Sequence, residues 1–488
     1  MPFNAASNGR NGVSSNAQSG QWDVIVVGAG TTGLPAATFA AKRGGRVLLI
    51  EAADRIGGTL HLSSGQVSAA GTRLQAEKGI EDSPEQHLKE VIRISRGTIN
   101  TELARLVIFN AAEAFDWMME LGFDVQDQCP SIESAHERYE VPRYYWGNDF
   151  GRSVLDVLEH AMREQEALGH IEVLTGTRVI GLLQDREGVV SGVELVDGEG
   201  RESSVEGKNV LLASGGYTAN PAMFRRLCGY RLYVNGSYEF ARGDGYDLAV
   251  AAGGYLRGRE NYLSNFGWLL EDGPYPKAIL GRLNTFPESR PPWEIYVNMH
   301  GQRFVREDEP SVDAREHALL EQPELRYWVV FDDHIFHNAP PIVYDWSREQ
   351  MAESFNMREA FRKADSLESL AQGIGVPGDV LANTVTDFNA SVAEGRDGLG
   401  RRHLPAPITK PPFYAIRQQG GSLSSTVGVA VNEKLQVMRP DGAPIPCLYA
   451  AGEILGSGQL QGNAFVGGMM VMPCIVFGRL LGQRLVEF

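Results

Sequence analysis

Gly28, Gly30 and Gly33 stand in Gly-x-Gly-x-x-Gly spacing directly behind the apolar run Val24-Ile-Val-Val27. An unbroken apolar run of this kind reads as a buried parallel strand, and the glycines that follow it can cradle a pyrophosphate. In such a turn Gly28 allows the tight bend, Gly30 lets the backbone approach the phosphates, and Gly33 lets the next helix pack close to the strand. That helix aims its unpaired N–H groups at the phosphates. A second strand signal, Arg46-Val-Leu-Leu-Ile50, ends in Glu51. An acid about 20 residues after the glycines accepts hydrogen bonds from a ribose 2′-OH and repels a 2′-phosphate. The chemistry predicted is binding of an ADP moiety with a free ribose, as in FAD or NAD and unlike NADP. Further on, Ser214-Gly215-Gly216 closes another strand signal with residues small enough to pass beside a nucleotide.

These residues need elements to hold them. The chain has 488 residues, enough for roughly two or three domains. Its net charge of −16 leaves no basic surface excess for nucleic acid or anionic membranes. Cys129, Cys228, Cys447 and Cys474 have no C-x-x-C spacing and no Cys/His cluster, so no metal site is predicted and a reducing, cytoplasmic setting fits. No window reaches roughly 18 unbroken apolar residues, so no membrane insertion is expected. Residues 1–21, rich in Asn, Ser, Gly and Ala, read as a disordered leader.

Residues 22–51 form a first β-α-β unit. Residues 80–125 read as helical, with Ser83-Pro84-Glu85-Gln86 as a start signal. Residues 171–215 alternate strand signals with the turns Asp185-Arg-Glu-Gly188 and Asp197-Gly-Glu-Gly200, which imply antiparallel hairpins. Residues 257–417, with most of the tryptophans and several prolines, read as an inserted domain. Cys447-Leu-Tyr-Ala-Ala-Gly-Glu453 returns to strand and glycine-acid turn, and Gly462-Asn463-Ala464 opens an apolar helix running to the end. The division is a leader (1–21), a nucleotide-binding domain in two parts (22–256 and 418–488) and an inserted domain (257–417). The two ends of such a chain must fold together around one extended cofactor.

Taken in order, Gly28-Ala-Gly-Thr-Thr-Gly33 with Glu51, Gly57-Gly58, Ala213-Ser-Gly-Gly216, Gly243-Asp-Gly245, Gly301-Gln-Arg-Phe-Val-Arg-Glu307, and Leu448-Tyr-Ala-Ala-Gly-Glu453 followed by Gly462-Asn463-Ala464 resemble the FAD-dependent fumarate reductase and 3-ketosteroid dehydrogenase superfamily, the FAD-binding-2 flavoproteins. The resemblance spans roughly residues 22–488. It implies an α/β fold, with a Rossmann-like FAD-binding domain of the glutathione-reductase type and an inserted α+β capping domain. It implies FAD as cofactor. By position, Gly28, Gly30, Thr32 and Gly33 hold the pyrophosphate, Glu51 the adenosine ribose, and Val179 the adenine edge through its backbone. Gly58, Thr59, Ser214, Gly215 and Asp244 border the nucleotide. Gly452 and Glu453 serve the ribityl side, and Asn463 and Ala464 lie against the isoalloxazine. A helix starting near Ala464 would aim its positive end at the flavin N1/O2 edge. His61 is out of register with the histidine that carries covalent flavin in some relatives, so FAD is expected to be held non-covalently.

The chain departs from the family at the substrate. Fumarate reductases of this kind grip a diacid with two histidines and an arginine. Those positions fall here on Asn265, Ser425 and Gln459, all neutral. A neutral hydrogen bond is much weaker than a charge-assisted bidentate contact, so no dicarboxylate clamp is recognisable. The ketosteroid dehydrogenases have a tyrosine at Gln459, also missing; Gln459 is a catalytic candidate as a hydrogen-bond donor to a substrate carbonyl, but it cannot act as a base. The proton-transfer position of both groups is matched by Arg315, with Ser311 the ungapped alternative. Tyr145 is a candidate donor or base near a ketone, and Tyr144 and Gln461 are further substrate candidates. His136 and His317 have no spacing partner and read as surface histidines.

The expected reaction is two-electron chemistry at a C–C bond beside a carbonyl. Desaturation of a small, cyclic ketone is preferred, because Tyr144, Tyr145, Trp146, Tyr262 and Trp268 would suit an apolar ring at the site mouth. The alternatives are ene reduction of an α,β-unsaturated acid or ketone and, remotely, a non-catalytic FAD-binding module. The expected partners are a small-molecule substrate and oxygen or a soluble electron carrier, since no haem-binding C-x-x-C-H motif is present.

Overall fold

The computed structural model describes residues 21–132 and 136–486. All but the last residue of the expected leader lies outside the described residues. The strand Trp22–Val27 occupies the middle of a parallel sheet. It pairs with Val47–Ile50 on one side and with Glu202–Leu212 on the other, and Ile171–Leu174 extends the sheet beyond Val47–Ile50. The late strand Pro444–Ala450 joins in parallel on the far side of Glu202–Leu212. Val27, Ile50, Leu212 and Ala450 therefore end side by side at one carboxyl edge, which is where open α/β sheets place ligands. The expected convergence of the two chain ends is met in this register.

The local reasons follow from the sequence. Val24, Ile25 and Val26 are fully buried on both faces, as a continuous apolar strand requires. Helix Gly33–Lys42 packs its alanine-rich surface on helix Val471–Arg484. A Cβ on Gly478 would sit 2.3 Å from the Thr32 carbonyl, so only glycine admits this approach. Ser83 caps helix Pro84–Ile94 by accepting the Gln86 amide at 3.1 Å, and the predicted helical stretch continues as Thr101–Glu120. Strands Arg178–Gln184, Val190–Val196 and Glu202–Leu212 form the expected antiparallel meander. Asp185 and Asp197 close its two turns by accepting backbone amides.

The cap is built on a second, largely antiparallel sheet, centred on Arg326–Asp332 and Phe413–Gly421, with its own hydrophobic core. Its edge is supplied by Val234–Asn235, and its central strand runs on to Gly421, so the cap sheet draws on residues outside 257–417. Conversely, Leu256–Arg257 pairs with Gly428–Val429, outside the cap sheet. The last helix begins at Val471, after turns that include Gly468 in a left-handed conformation. Asn463 and Ala464 thus lie in a turn, and the expected helix start near Ala464 is corrected: the glycines at 467 and 468 delay it.

Candidate FAD site and substrate region

The carboxyl edge of the parallel sheet opens into a cavity. Its wall includes Gly28, Gly30, Thr32, Glu51, Gly58, Thr59, Val179, Ser214, Gly215, Asp244 and Glu453. Eleven residues predicted from separate stretches of sequence are thus brought to one space. Gly33 and Gly452 support the wall. A Cβ on Gly33 would clash with the Gly28 carbonyl at 1.8 Å, and one on Gly452 would strike Thr32 Oγ1 at 2.3 Å.

The shape suits a dinucleotide. Gly28 has φ +106°, and a Cβ there would lie 2.4 Å from the Ala213 carbonyl oxygen. A Cβ on Gly30 would meet no protein atom within 4 Å and would stand instead in the space a pyrophosphate needs. Glu51 is buried, and it accepts the Ala29 amide at 2.8 Å and the Ala53 amide at 2.9 Å. Each carboxylate oxygen keeps a further lone pair for a ribose hydroxyl. The Ser214 hydroxyl is buried on the wall without a protein partner, a donor left for a ligand. Burial pushes the carboxyls of Glu51 and Glu453 above their usual range, against the amides that hold them charged. The residues fit FAD. Arg178, Tyr238, Phe240 and Cys474 also line the cavity and were not foreseen. Only Arg178 carried a signal, as the neighbour of Val179. It clasps Asp244 through Nε and Nη2 at 2.7 and 2.8 Å.

Asn463 lies apart from this cavity wall, next to Thr98: its amide donates to Thr98 Oγ1 at 2.9 Å, and its Oδ1 accepts from the same hydroxyl at 3.1 Å. Ala464 is buried beside it. His61 Nε2 lies 2.9 Å from the Ile56 carbonyl oxygen, a local bond within its own turn.

The substrate candidates divide. Arg315 sits on helix Val312–Leu320, only 1% exposed, with its guanidinium bonded to the Thr285 carbonyl. It lies 5.2 Å from the Phe266 ring centroid and 5.7 Å from that of Phe286, and its Nε is buried without a hydrogen-bond partner. The cap thereby brings Arg315 near Asn265, which precedes Phe266. Asn265 Oδ1 accepts the Gly267 amide at 2.9 Å. Ser311 caps the helix, accepting the Ala314 amide at 3.1 Å while donating to Glu137.

Other candidates are turned to structural duty. Gln459 donates both amide hydrogens to backbone carbonyls, those of Val429 at 3.0 Å and of Leu455, and its Oε1 accepts from Arg257. No amide hydrogen is left for a substrate carbonyl, which corrects the expected donor role. Ser425 Oγ accepts the Tyr217 amide at 2.8 Å, and Gln461 Nε2 staples its own turn at the Val466 carbonyl. Tyr145 is fully buried, with its hydroxyl 2.8 Å from Thr72 Oγ1 and its ring against Phe115. Burial pushes its phenol far above the ordinary tyrosine range, so it is poorly placed as a base. Tyr144, Tyr262 and Trp268 are buried in the same core. The expected aromatic mouth is corrected accordingly: packing, which sequence spacing cannot distinguish from a pocket wall, claims these rings. His136 is corrected too. It is no simple surface residue, because its ring stacks on Phe465 at 4.4 Å and its Nδ1 lies 3.3 Å from Glu316 Oε1.

Among the described residues no helix is long and apolar enough to cross a membrane, and no group of His, Cys, Asp and Glu is arranged to hold a metal ion.

Comparison with known proteins agrees with the cavity. The chain is 30% identical to a fumarate reductase (cytochrome) of Shewanella frigidimarina, over 96% of this chain and 77% of that one. It is 27% identical to a vinyl phenol reductase of Lactiplantibacillus plantarum, over 97% and 98% of the two chains. The fold superposes with a TM-score of 0.70 on the open conformation of a flavocytochrome c3 fumarate reductase, at 27% identity, covering 96% of this chain and 78% of that chain. The family model described as an FAD binding domain matches residues 23–469. With that match laid over the cavity at the carboxyl edge, the chain belongs to the FAD-binding-2 flavoproteins and is an FAD-dependent oxidoreductase acting on CH–CH groups.

Proposed function

We propose that the chain is an ene reductase for an α,β-unsaturated carbonyl compound that lacks a second carboxylate. One observation carries this reading: Asn265, Ser425 and Gln459, which the resemblance matches to the family's diacid clamp, are neutral and make their hydrogen bonds within the protein's own chain. A dianion brought to such neutral groups would lose its hydration without charge-assisted bonds in return. The reductase relatives favour reduction over desaturation, and the burial of Tyr144, Tyr145, Tyr262 and Trp268 removes the pocket argument for a cyclic ketone.

FAD, when bound, supplies hydride transfer to or from carbon. Glu51 and the turn at Gly28–Gly33 would hold its ADP half, and the family resemblance would set Asn463 and Ala464, outside that cavity wall, against the flavin. The local His61–Ile56 bond supports non-covalent attachment. Arg315, held rigid by Thr285 and the two phenylalanines, offers its unpartnered Nε to negative charge growing on the substrate oxygen. A preorganised donor of this kind is worth about 2.7–4 kcal/mol. Electrons are supplied by a soluble carrier.

The test is anaerobic. FAD-loaded protein, chemically reduced, is mixed with 2-cyclohexenone or cinnamaldehyde. Return of the yellow absorbance supports the reading. Bleaching of oxidised protein by cyclohexanone, without reoxidation of reduced protein by either enone, would overturn it in favour of desaturation.

A further inference from the structure

Arg178, Val179, Asp244 and Leu248 belong to two spaces at once. They line the FAD cavity, and they also line a groove on the outer face of the domain, whose wall includes Ile180, Gln184 and Asp247. The groove is open to water: the Asp247 side chain is 72% exposed and Ile180 is 44% exposed. One layer of residues therefore parts the cavity from solvent here. Across that layer the Arg178 guanidinium forks onto the Asp244 carboxylate, Nε to Oδ2 at 2.7 Å and Nη2 to Oδ1 at 2.8 Å.

The fork ties two separate elements. Arg178 begins the strand Arg178–Gln184, and Asp244 begins the helix Asp244–Ala251. The pairing of that strand with Val190–Val196 shifts register between Val179 and Gly181. A bulge bends a strand and interrupts its ladder locally, so the end that carries Arg178 is held less firmly than the strands beneath it. Val179 and Leu248 add apolar side chains to the layer, and apolar contact is non-directional. The ion pair is thus the directional tie between the two sides. Its side chains are 42% and 33% exposed. A half-exposed pair keeps its geometry through the fork but is weakened by water and salt, which lets it open and close.

By the family resemblance the adenine edge meets Val179, directly beside Arg178. We propose that Arg178 and Asp244 form a latch over the adenosine end of the FAD cavity, and that cofactor exchange begins there when the pair parts. Adenosine is then the last portion of the cofactor to seat and the first to leave. The latch resists both directions alike, so it slows exchange and leaves affinity nearly unchanged. It acts on FAD alone and is independent of which carbonyl compound is reduced.

The experiment measures FAD exchange in the wild type, Arg178→Met, Asp244→Asn and the double variant. Quenching of flavin fluorescence on mixing FAD with FAD-free protein gives the on-rate. Transfer of FAD from loaded protein to an excess of a scavenging apo-flavoprotein gives the off-rate. Each single variant is expected to raise both rates on the order of two- to fivefold, with Kd changed less than about twofold. The double variant is expected to be no faster than the faster single one, because both remove the same tie. Raising salt from about 20 mM to about 0.5 M is expected to close the gap between wild type and variants. Arg178→Met deletes a cation and Asp244→Asn an anion, so long-range steering of the anionic cofactor would move their on-rates in opposite directions. Opposite on-rate changes, unchanged rates, additive effects in the double variant, or an off-rate rise without an on-rate rise would each overturn the latch. No substrate enters the measurement, so its outcome stands apart from the ene-reductase reading.

Discussion

The Glu51 carboxylate accepts the Ala29 amide at 2.8 Å, tying the end of the second strand to the inside of the glycine turn. Ala29 lies between Gly28 and Gly30, so the Glu51 side chain links the second strand to the turn that would hold the pyrophosphate. In Glu51→Gln one of the amides of Ala29 and Ala53 would face an NH₂ group. The loss of one buried hydrogen bond costs about 1–3 kcal/mol, so FAD affinity is expected to fall roughly tenfold or more, read by flavin fluorescence titration.

Gly30 separates folding from binding. Its missing side chain faces open space within the protein. Gly30→Val is expected to keep the far-UV circular dichroism of the wild type and to purify without yellow colour. Loss of folding together with colour would mean the turn itself needs glycine.

Gln459→Ala addresses the corrected residue. Its amide braces the Val429 and Leu455 carbonyls and Arg257. Removing it is expected to destabilise the protein by about 1–3 kcal/mol in a denaturant titration, with KM for 2-cyclohexenone changed less than threefold or so. A large KM rise at unchanged stability would return Gln459 to the substrate site.

Glu453 makes a pH prediction. Burial raises its folded-state pKa above the usual glutamate range. A carboxyl raised on folding favours the folded state below its unfolded pKa, and that contribution is lost as pH rises through the folded pKa. FAD-free wild type is therefore expected to lose stability relative to Glu453→Gln between about pH 4.5 and the higher folded value. Melting temperatures of both proteins across that range check the sign.

The FAD half of the site was legible because its determinants are local. Glycines at Gly28, Gly30 and Gly33 and an acid at Glu51 have meaning at fixed spacing, and the sheet register then carries them to one edge. Arg315 was singled out only from its distance to the Arg303-Phe-Val motif; its contacts with Thr285 and Phe266 depend on the folded cap and could not be read from spacing. Gln459, Ser425 and Tyr145 were misjudged for one reason: where a side chain points is decided by tertiary packing. His136 was read as a surface histidine because its contacts, Glu316 and Phe465, lie far away in sequence.

With neutral side chains at all three clamp positions and Arg315 as the one cation assigned to the substrate oxygen, the site is expected to read one carbonyl and reject a diacid. Stopped-flow reoxidation of the reduced, FAD-loaded protein by 2-cyclohexenone and by fumarate, at equal concentrations without oxygen, measures it directly. The account predicts that the enone reoxidises the flavin at least tenfold faster or so, since a lost charge-assisted clamp is worth more than 1.4 kcal/mol. Faster reoxidation by fumarate would contradict it.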